Sequence, residues 1–398
     1  MPPLPAPVSG RIDRVISAAT ASPWLSALPP FLIASAVCIA AVPGSMWLAK
    51  RAGAMAQPDK DRHLHPRPTP RLGGIAMFAG FAVAIAIFGS GISDQWQIVA
   101  VTGAITVAMA VDDVLDLNWL SKLGIEIGVG VLAVVLGITI TSIAIPGTHT
   151  PSVWDLGLLA APVTVVWLVG MQVSVNLLDG ADGVAAGVIA IVAGVCLLAA
   201  INRIESVNDV QSGVVILSGA VMGCCLGFLI FNLPPARVFM GDSGSHFLGV
   251  ALGAITILGV AKVVVGLSIL VPVIALGLPI GDTAFAIVRR TLAGRNPAAP
   301  DAGHLHHRLR AVGMSPLETA FTFYLVTGIL GCLALTIYGH RRIIDLALGL
   351  MVVALVVLIW SNRRRVPRLP FVAIEEGEVQ VDGRRALPSH IHHRGEAD

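Results

Sequence analysis

The sequence predicts an all-α protein, a polytopic integral membrane helical bundle. Of its 398 residues, 55% are apolar and only 13% are charged, whereas soluble domains carry about 25% charged residues. Apolar runs long enough to cross a bilayer recur along the chain, and the alternating runs of a membrane β-barrel are absent. This composition excludes an ordinary soluble enzyme, a disordered chain and a coiled coil. The net charge of +2 is too small to indicate nucleic acid as a partner.

About 11 apolar segments have the length of a transmembrane helix. Glycine is frequent in them, as expected where helices pack closely in lipid. We expect residues 31–361 to form one membrane-embedded domain, preceded by a non-cytoplasmic segment at 1–30 and followed by a cytoplasmic polar tail at 362–398. The predicted spans are 31–49, 72–92, 96–111, 123–144, 156–175, 184–201, 213–231, 245–261, 266–288, 317–337 and 343–361.

Lysine and arginine are unevenly distributed between the connecting segments. The connecting segments belong alternately to one side of the membrane or the other, which gives two sets. The set that begins with residues 50–71 and ends with the tail contains 20 lysines and arginines, and the other set contains 6. Cytoplasmic loops of membrane proteins carry the excess of positive charge. The sequence therefore predicts a multi-pass membrane protein with its N-terminus outside and its C-terminus inside.

The first polar cluster on the predicted cytoplasmic side is RHLHPRPTPRLGG, residues 62–74. Its prolines stiffen an extended segment, and its two glycines let the backbone approach a neighbour or a ligand. Arg71 near its end is a candidate source of positive charge. A basic loop beside the membrane would account for the cluster equally well.

The second cluster is VDDVLD, residues 111–116, followed by Lys122. Asp112 and Asp113 are adjacent carboxylates at the end of a span, where desolvation and mutual repulsion make them costly. Such groups usually serve a cation, a proton or a positively charged partner. The alternative is a pair of solvated acids just beyond a helix end.

The third cluster is NLLDGADG, residues 176–183. Asn176, Asp179 and Asp182 recur every three residues, so on a helix or a tight helical turn they would share one face. Oxygen ligands at this spacing suit a hard cation or a ribose and base edge. An Asx-rich turn between two spans is the alternative.

The fourth cluster is FMGDSGS, residues 239–245, where Asp242 stands between glycines as a span begins. We expect the backbone N–H groups of this helix start to bind phosphate and Asp242 to hold a metal ion. The alternative is that Ser243 or Ser245 simply caps the helix.

A fifth cluster lies in the longest cytoplasmic loop, where HLHHRL occupies residues 304–309. Histidines alone suggest a transition metal, but no cysteine lies near them and the other clusters offer hard oxygen donors. Contacts from the histidines and Arg308 to phosphate or sugar oxygens fit this setting better than zinc.

In this order, the five clusters resemble the motifs of the polyprenyl-phosphate N-acetylhexosamine-1-phosphate transferase family of integral membrane enzymes. The resemblance covers about residues 60 to 310 and includes the number and order of spans. Members of that family move a sugar 1-phosphate from a UDP-sugar to polyprenyl phosphate and release UMP. The resemblance therefore implies a Mg²⁺- or Mn²⁺-dependent transferase that works at the cytoplasmic face of the inner (plasma) membrane and starts a lipid-linked cell-envelope glycan.

The resemblance also implies a role for each motif residue. Asp242 would bind the metal, with Asn176 beside it, and Asp112 would deprotonate or position the lipid phosphate. The family usually has a second Asn three residues before the one that corresponds to Asn176, and this chain has Val173 at that position. The catalytic set implied is Asp112, Asp113, Lys122 and Asp179, and the substrate-binding set is Arg71, Asp182, His304, His306, His307 and Arg308.

The fifth motif bears on the sugar. Enzymes that accept UDP-muramoyl-pentapeptide resemble one another in three successive histidines, whereas here His304 is separated from His306 and His307, and Arg308 follows. This pattern favours UDP-N-acetylglucosamine as donor, with undecaprenyl or decaprenyl phosphate as acceptor.

Three other functions stay open at this point. One is a phospho-N-acetylmuramoyl-pentapeptide transferase. Another is a membrane phosphatase with water as acceptor. The third is a transporter, although transporters place ionisable groups near the bilayer midplane and the acids here lie at span ends. A homodimer is also compatible with the sequence.

Overall fold

A computed structural model of the chain shows a bundle of long apolar helices. It describes residues 23–57, 68–145, 152–201, 210–260, 305–311 and 313–336. Shorter pieces are described at 277, 281, 288, 291–292, 345, 347–349, 351–356, 359, 374–375, 378–381 and 384–385. The prediction of a polytopic, mostly helical membrane protein is confirmed.

The α-helices of the described ranges are numbered in chain order. They are α1 Leu28–Ala52, α2 Gly73–Phe88, α3 Gln95–Leu115, α4 Trp119–Val135, α5 Ala160–Leu178, α6 Val184–Ile201, α7 Val210–Asn232, α8 Gly241–Val260, α9 Leu305–Ala311 and α10 Pro316–Thr336. Three short 3₁₀ helices lie at Pro23–Ala27, Gly89–Gly91 and Gly157–Leu159.

Short antiparallel strands, which the sequence did not predict, connect some of the helices. Strand β1 (Met55–Ala56) pairs with strand β2 (Thr69–Pro70), which is part of the first cluster. Strands β3 (Ser142–Ile145) and β4 (Ser152–Asp155) form a hairpin between α4 and α5. Strands β5 (Ile374–Glu375), β6 (Glu378–Val381) and β7 (Arg384–Arg385) lie in the predicted tail.

Seven helical segments in the described part of the chain are long and apolar enough to cross a membrane. Helices α4, with 17 residues, and α8, which begins with a polar run, correspond to two further predicted spans. The predicted span at 266–288 falls mainly outside the described residues, and the one at 343–361 is described only in pieces. The count of about 11 spans therefore stays a prediction.

The predicted span 123–144 is placed incorrectly at both ends. Helix α4 begins at Trp119, where Asn118 caps it by accepting a hydrogen bond from the Ser121 N–H, at 3.0 Å. It ends at Val135, just before Gly137, whose φ of 92° cannot continue a helix. The apolar run continues into strand β3, so apolar character alone could not mark the helix end.

Helix α8 lies inside the bundle, in contact with α2, α3, α5, α6 and α7. Its apolar residues from Phe247 to Leu258 are buried in the described structure.

Small residues allow close contact between helices elsewhere in the bundle. Gly219, Gly223 and Gly227 on α7 face backbone carbonyl oxygens of the chain around α1, and a Cβ at any of them would overlap those atoms.

Exposed tryptophans lie towards both ends of the bundle. Trp47 and Trp119 lie near the end of α1 and at the start of α4, and the guanidinium of Arg51 stacks on Trp47 at 4.6 Å. Trp96, in the first turn of α3, and Trp154, in strand β4 between α4 and α5, lie at the opposite end of the bundle. Tryptophan is enriched where membrane meets water, so this distribution agrees with helices that cross a bilayer.

Candidate active site

The second, third and fourth clusters meet at the first turn of α8, together with the described end of the first cluster. The spans alternate in direction, so the loops after α1, α3, α5 and α7 return to the same end of the bundle. Hydrogen bonds join these loops directly, and Asp242 lies where they meet. The sequence prediction that these polar clusters share one end of the bundle is confirmed for the described residues.

Asp113 caps helix α8 from the end of α3. Its Oδ1 accepts a hydrogen bond from the Asp242 N–H at 2.9 Å, and its Oδ2 accepts one from the Ser243 N–H at 3.1 Å. The side chain is fully buried, and the Arg71 guanidinium lies 3.9 Å from Oδ1. A carboxylate at a helix N-terminus satisfies amides that have no partner within the helix.

This contact corrects one sequence prediction. The Asp242 and Ser243 amides cannot bind phosphate, because Asp113 already accepts both hydrogen bonds. Neither serine caps the helix, since the Ser243 hydroxyl donates to the Met240 carbonyl and the Ser245 hydroxyl donates to the Gly241 carbonyl. The contacts of Asp113 are those of a cap, and its catalytic role stays a prediction.

Lys122 bridges two carboxylates. Its Nζ lies 2.8 Å from Oδ2 of Asp112 and 2.7 Å from Oδ2 of Asp242. Asp112 is buried, with its Oδ1 accepting the Leu117 N–H at 2.9 Å, whereas the Lys122 side chain keeps 26% of its surface exposed. The single ammonium group therefore bridges two carboxylates and offsets one of their two negative charges, while the lysine side chain stays partly exposed.

Asn176, near the end of α5, is the other partner of Asp242. Its Nδ2 donates to Oδ1 of Asp242 at 3.0 Å and to the Ser245 hydroxyl at 3.1 Å. The Asp242 carboxylate thus has one oxygen on the amide of Asn176 and the other on the ammonium of Lys122. The predicted proximity of Asn176 and Asp242 is confirmed.

The described end of the first cluster is held against the fourth by backbone hydrogen bonds. The Gly73 and Gly74 N–H groups donate to the carbonyls of Phe239 and Met240 at 3.0 and 2.9 Å. Gly241 has a φ of 70°, and a Cβ there would overlap the Arg71 carbonyl and the Asp113 carboxylate. Glycine is therefore required at position 241 by both conformation and space.

The third cluster does not share one helical face, as its spacing had suggested. Helix α5 ends at Leu178, so Asn176 is helical while Asp182 lies in the following turn. Oδ2 of Asp182 accepts the Ala236 N–H at 3.0 Å. This bond ties the turn to the α7–α8 connection, and the predicted substrate contact of Asp182 stays a prediction.

Asn232 and Tyr324 fix the same turn at Gly183. Oδ1 of Asn232 accepts the Gly183 N–H at 3.0 Å, and its Nδ2 donates to the Val238 carbonyl at 2.8 Å. The Tyr324 hydroxyl of α10 donates to the Gly183 carbonyl at 2.6 Å. Helix α10 thereby supports the site, although the sequence offered no motif there.

Asp179 follows the last residue of α5. Its removal from water raises the pKa of the carboxyl group well above the usual value, and repulsion from the Asp242 and Asp113 carboxylates raises it further. Counted by groups, the cluster contains more carboxyl groups (Asp112, Asp113, Asp179 and Asp242) than basic side chains (Lys122 and Arg71). Such an arrangement favours a cation.

The fifth cluster is only partly described. His304 and the side chains of His306 and His307 lie outside the described residues. Arg308 is exposed on helix α9. The substrate contacts predicted for these four residues stay predictions.

Sequence reasoning missed two buried ionisable residues beside the cluster. Glu126 on α4 and His246 on α8 lie 3.0 Å apart, between Oε1 and Nε2. Each lies in a span predicted as simply apolar. Their positions four residues after Lys122 and Asp242 were the available signal, since residues at that spacing share a helix face.

The donor set of the cluster consists of hard oxygens. The structure contains no group of three or more His, Cys, Asp or Glu arranged to hold a metal, within the residues it describes. Magnesium is usually bound by one or two carboxylates and completed by substrate phosphates and water. Asp242, with the side chain of Asn176 beside it, fits that pattern, and the Lys122 ammonium shows that the position attracts a cation.

The fold and the site define an integral membrane protein with a charged active site at one end of its helix bundle. Residues 95–260 match the model of glycosyl transferase family 4. This range contains Asp112, Lys122, Asn176 and Asp242.

Similar curated proteins point the same way. The chain is 38% identical over 282 residues to a probable undecaprenyl-phosphate N-acetylglucosaminyl 1-phosphate transferase of Bacillus subtilis, covering 70% of this chain and 76% of that protein. It is 34% identical over 344 residues to a decaprenyl-phosphate N-acetylglucosaminephosphotransferase of Mycolicibacterium smegmatis, and the match covers 80% of this chain and 84% of that protein. A phospho-N-acetylmuramoyl-pentapeptide-transferase of a Synechococcus species is 33% identical over 298 residues, and the match covers 70% of this chain and 82% of that protein.

The chain belongs to glycosyl transferase family 4, as a polyprenyl-phosphate N-acetylhexosamine-1-phosphate transferase. The resemblance inferred from its sequence motifs is confirmed.

Proposed function

We propose that this protein transfers N-acetylglucosamine 1-phosphate from UDP-N-acetylglucosamine to polyprenyl phosphate, with release of UMP. The names of the similar proteins from Bacillus and Mycolicibacterium support both the sugar and the lipid. The structural observation that carries the proposal is the Lys122 ammonium held between Asp112 and Asp242, where the motif loops meet.

The main barrier to this reaction is electrostatic, because an anionic lipid phosphate must approach an anionic diphosphate. Lys122 and Arg71 supply positive charge beside the cluster. When a substrate diphosphate enters, the accessible ammonium of Lys122 can turn from the carboxylates to its oxygens. Fixed positive charge is worth most where negative charge develops in the transition state.

Asp242 and Asn176 would hold Mg²⁺ in this proposal. The ion would neutralise the donor's diphosphate and improve UMP as a leaving group. Asn176 donates to one oxygen of Asp242 and so fixes the orientation of the carboxylate. Asp113 holds the backbone of the same turn.

Asp112 would position the acceptor rather than deprotonate it. A phosphate monoester is already mostly ionised near pH 7, since its second pKa is roughly 6. The buried carboxylate holds Lys122 through Oδ2 and the Leu117 amide through Oδ1. These contacts suit a residue that orients a cation.

The protein's placement in the cell is part of the proposal. The distribution of 20 against 6 basic residues supports an active site on the cytoplasmic face of the plasma membrane, with the N-terminus outside and the C-terminus inside. The membrane-embedded unit would extend over 31–361, and the product would start a cell-envelope glycan.

A donor comparison on the purified protein tests the function. We expect UMP release with UDP-N-acetylglucosamine and polyprenyl phosphate, and none when the lipid is left out. UDP-muramoyl-pentapeptide, the donor of the second candidate function, should be used more slowly than UDP-N-acetylglucosamine. Faster turnover of the pentapeptide donor would reassign the substrate, and UMP release without lipid would indicate a hydrolase.

A further inference from the structure

A second charged pair lies one helical turn behind the Lys122–Asp242 pair. Nε2 of His246 lies 3.0 Å from Oε1 of Glu126, and both side chains are buried. Nδ1 of His246 lies 2.8 Å from the backbone carbonyl of Asp242. A carbonyl oxygen can only accept, so Nδ1 carries a proton, and a second proton lies between Nε2 and Glu126.

The two pairs follow the same register on both helices. Lys122 and Glu126 are four residues apart on α4, and Asp242 and His246 are four residues apart on α8. Residues at this spacing share a helix face. Lys122 meets Asp242 and Glu126 meets His246, so a basic and an acidic side chain alternate along both faces.

The packing of α4 makes these side-chain pairs important for the position of α4 relative to α8. Helix α4 packs against α3 and α5, while α8 packs against α2, α3, α5, α6 and α7. The two charged pairs reach across from α4 to α8. A shift of α4 by a fraction of a turn would move Lys122 away from Asp242, and the pair of Glu126 with His246 opposes that shift.

Stability alone does not account for this pair. Burying an ion pair costs desolvation, and apolar replacements of similar volume are often neutral or stabilising. Ionisable residues within apolar spans of membrane proteins usually serve function. The contacts of His246 with both Glu126 and the Asp242 carbonyl connect the pair to the first turn of α8.

We propose that Glu126 and His246 are positioning residues that hold Lys122 in register with Asp242 for the transfer reaction. This inference rests on the proposed function, because Lys122 is expected to contact the donor's diphosphate. Glu126 and His246 themselves touch neither substrate in this account. They act on the rate through the position of one ammonium group.

A double-mutant cycle separates positioning from a merely structural role. In the purified protein, Glu126→Ala should lower kcat at least tenfold while the KM for UDP-N-acetylglucosamine changes less than threefold. Glu126→Gln, which keeps a hydrogen-bonding oxygen near His246, should recover most of the loss. In a Lys122→Ala background, Glu126→Ala should change kcat less than twofold, because its effect passes through the missing lysine.

Thr256→Val is the matched control on the same helix. It removes another side-chain hydrogen bond between helices, in which the Trp167 Nε1–H donates to the Thr256 hydroxyl at 2.9 Å, far along α8 from Asp242. We expect its kcat to stay within twofold of wild type. A loss equal to that of Glu126→Ala would mean that any buried polar contact of α8 has the same effect, and would overturn the proposal.

A second variant covers the case in which Glu126→Ala does not fold. Glu126→Met combined with His246→Leu replaces both partners by apolar side chains and leaves no unpaired charge. We expect it to be monodisperse and at least tenfold slower than wild type. If the folded apolar pair has a kcat within twofold of wild type, the proposal is overturned. It is also overturned if Glu126→Ala lowers kcat as much in the Lys122→Ala background as it does in wild type. Absence of transferase activity in wild type would instead refute the proposed function.

Discussion

Replacing Lys122 by methionine tests whether its ammonium group and a divalent metal ion compete for Asp242. The side chain of methionine has similar reach but no charge, and Nζ of Lys122 lies 2.7 Å from Oδ2 of Asp242. A metal ion at Asp242 would stand within a few ångströms of that ammonium in wild type. Removing the charge should therefore strengthen metal binding in the absence of donor.

The size of this effect follows from the distances and the exposure. A unit charge and a divalent ion about 4 Å apart repel each other by about 8 kcal/mol at an effective dielectric constant near 20. The Lys122 side chain is 26% exposed, so it can swing outward, and water screens most of the repulsion. If about a sixth of the repulsion survives, the gain is about 1.4 kcal/mol, or tenfold in the dissociation constant.

Electron paramagnetic resonance of Mn²⁺ measures this binding on purified, donor-free protein. Lys122→Met should bind Mn²⁺ about tenfold more tightly than wild type, while Lys122→Arg, which keeps the charge, should stay within about twofold. Lys50→Met, at an exposed position near the end of α1, controls for the change in net charge. If Lys122→Met binds no more tightly than Lys50→Met, the competition we describe does not exist.

Three further predictions concern the metal ligand, the helix cap and the sidedness. Asp242→Asn should fold but keep less than about a tenth of the wild-type rate, a loss of at least ~1.4 kcal/mol of barrier stabilisation; a higher rate would place the metal elsewhere. Asp113→Ala leaves the Asp242 and Ser243 amides without their partner, so the free energy of unfolding should fall by about 2–4 kcal/mol at ~1–2 kcal/mol per buried amide. An unchanged thermal unfolding midpoint in detergent would contradict the cap. A reporter fused after residue 361 should read cytoplasmic and a cysteine replacing Thr150 should label from outside, and labelling of both from one side would contradict the topology.

The convergence of the motif loops could be predicted from the sequence alone. A chain that crosses the bilayer repeatedly returns every second loop to the same side, so polar clusters on alternate loops must share one end of the bundle. The proximity of Asn176 and Asp242, which are 66 residues apart, is an instance of this geometry. The helical class followed as directly from the long apolar runs.

The exact partners within the site could not be predicted. The sequence made Asp113 a candidate catalytic residue, because no local pattern shows that the backbone amides at the start of α8 lie beside it. Glu126 and His246 are separated by 120 residues and meet only because α4 and α8 face each other. The end of α4 was missed because the same apolar, β-branched run supplies both the helix and strand β3.

Mass spectrometry of the lipid product tests the central claim most directly. Purified protein is incubated with UDP-N-acetylglucosamine, decaprenyl phosphate and Mg²⁺, and the lipid fraction is analysed beside the Asp242→Asn variant. We predict that wild type converts the lipid to a species heavier by one N-acetylglucosamine 1-phosphate, with an equal amount of UMP, and that the variant yields less than about a tenth as much. A lipid heavier by the sugar without its phosphate, or an unchanged lipid beside released UMP, would contradict transfer of the sugar phosphate.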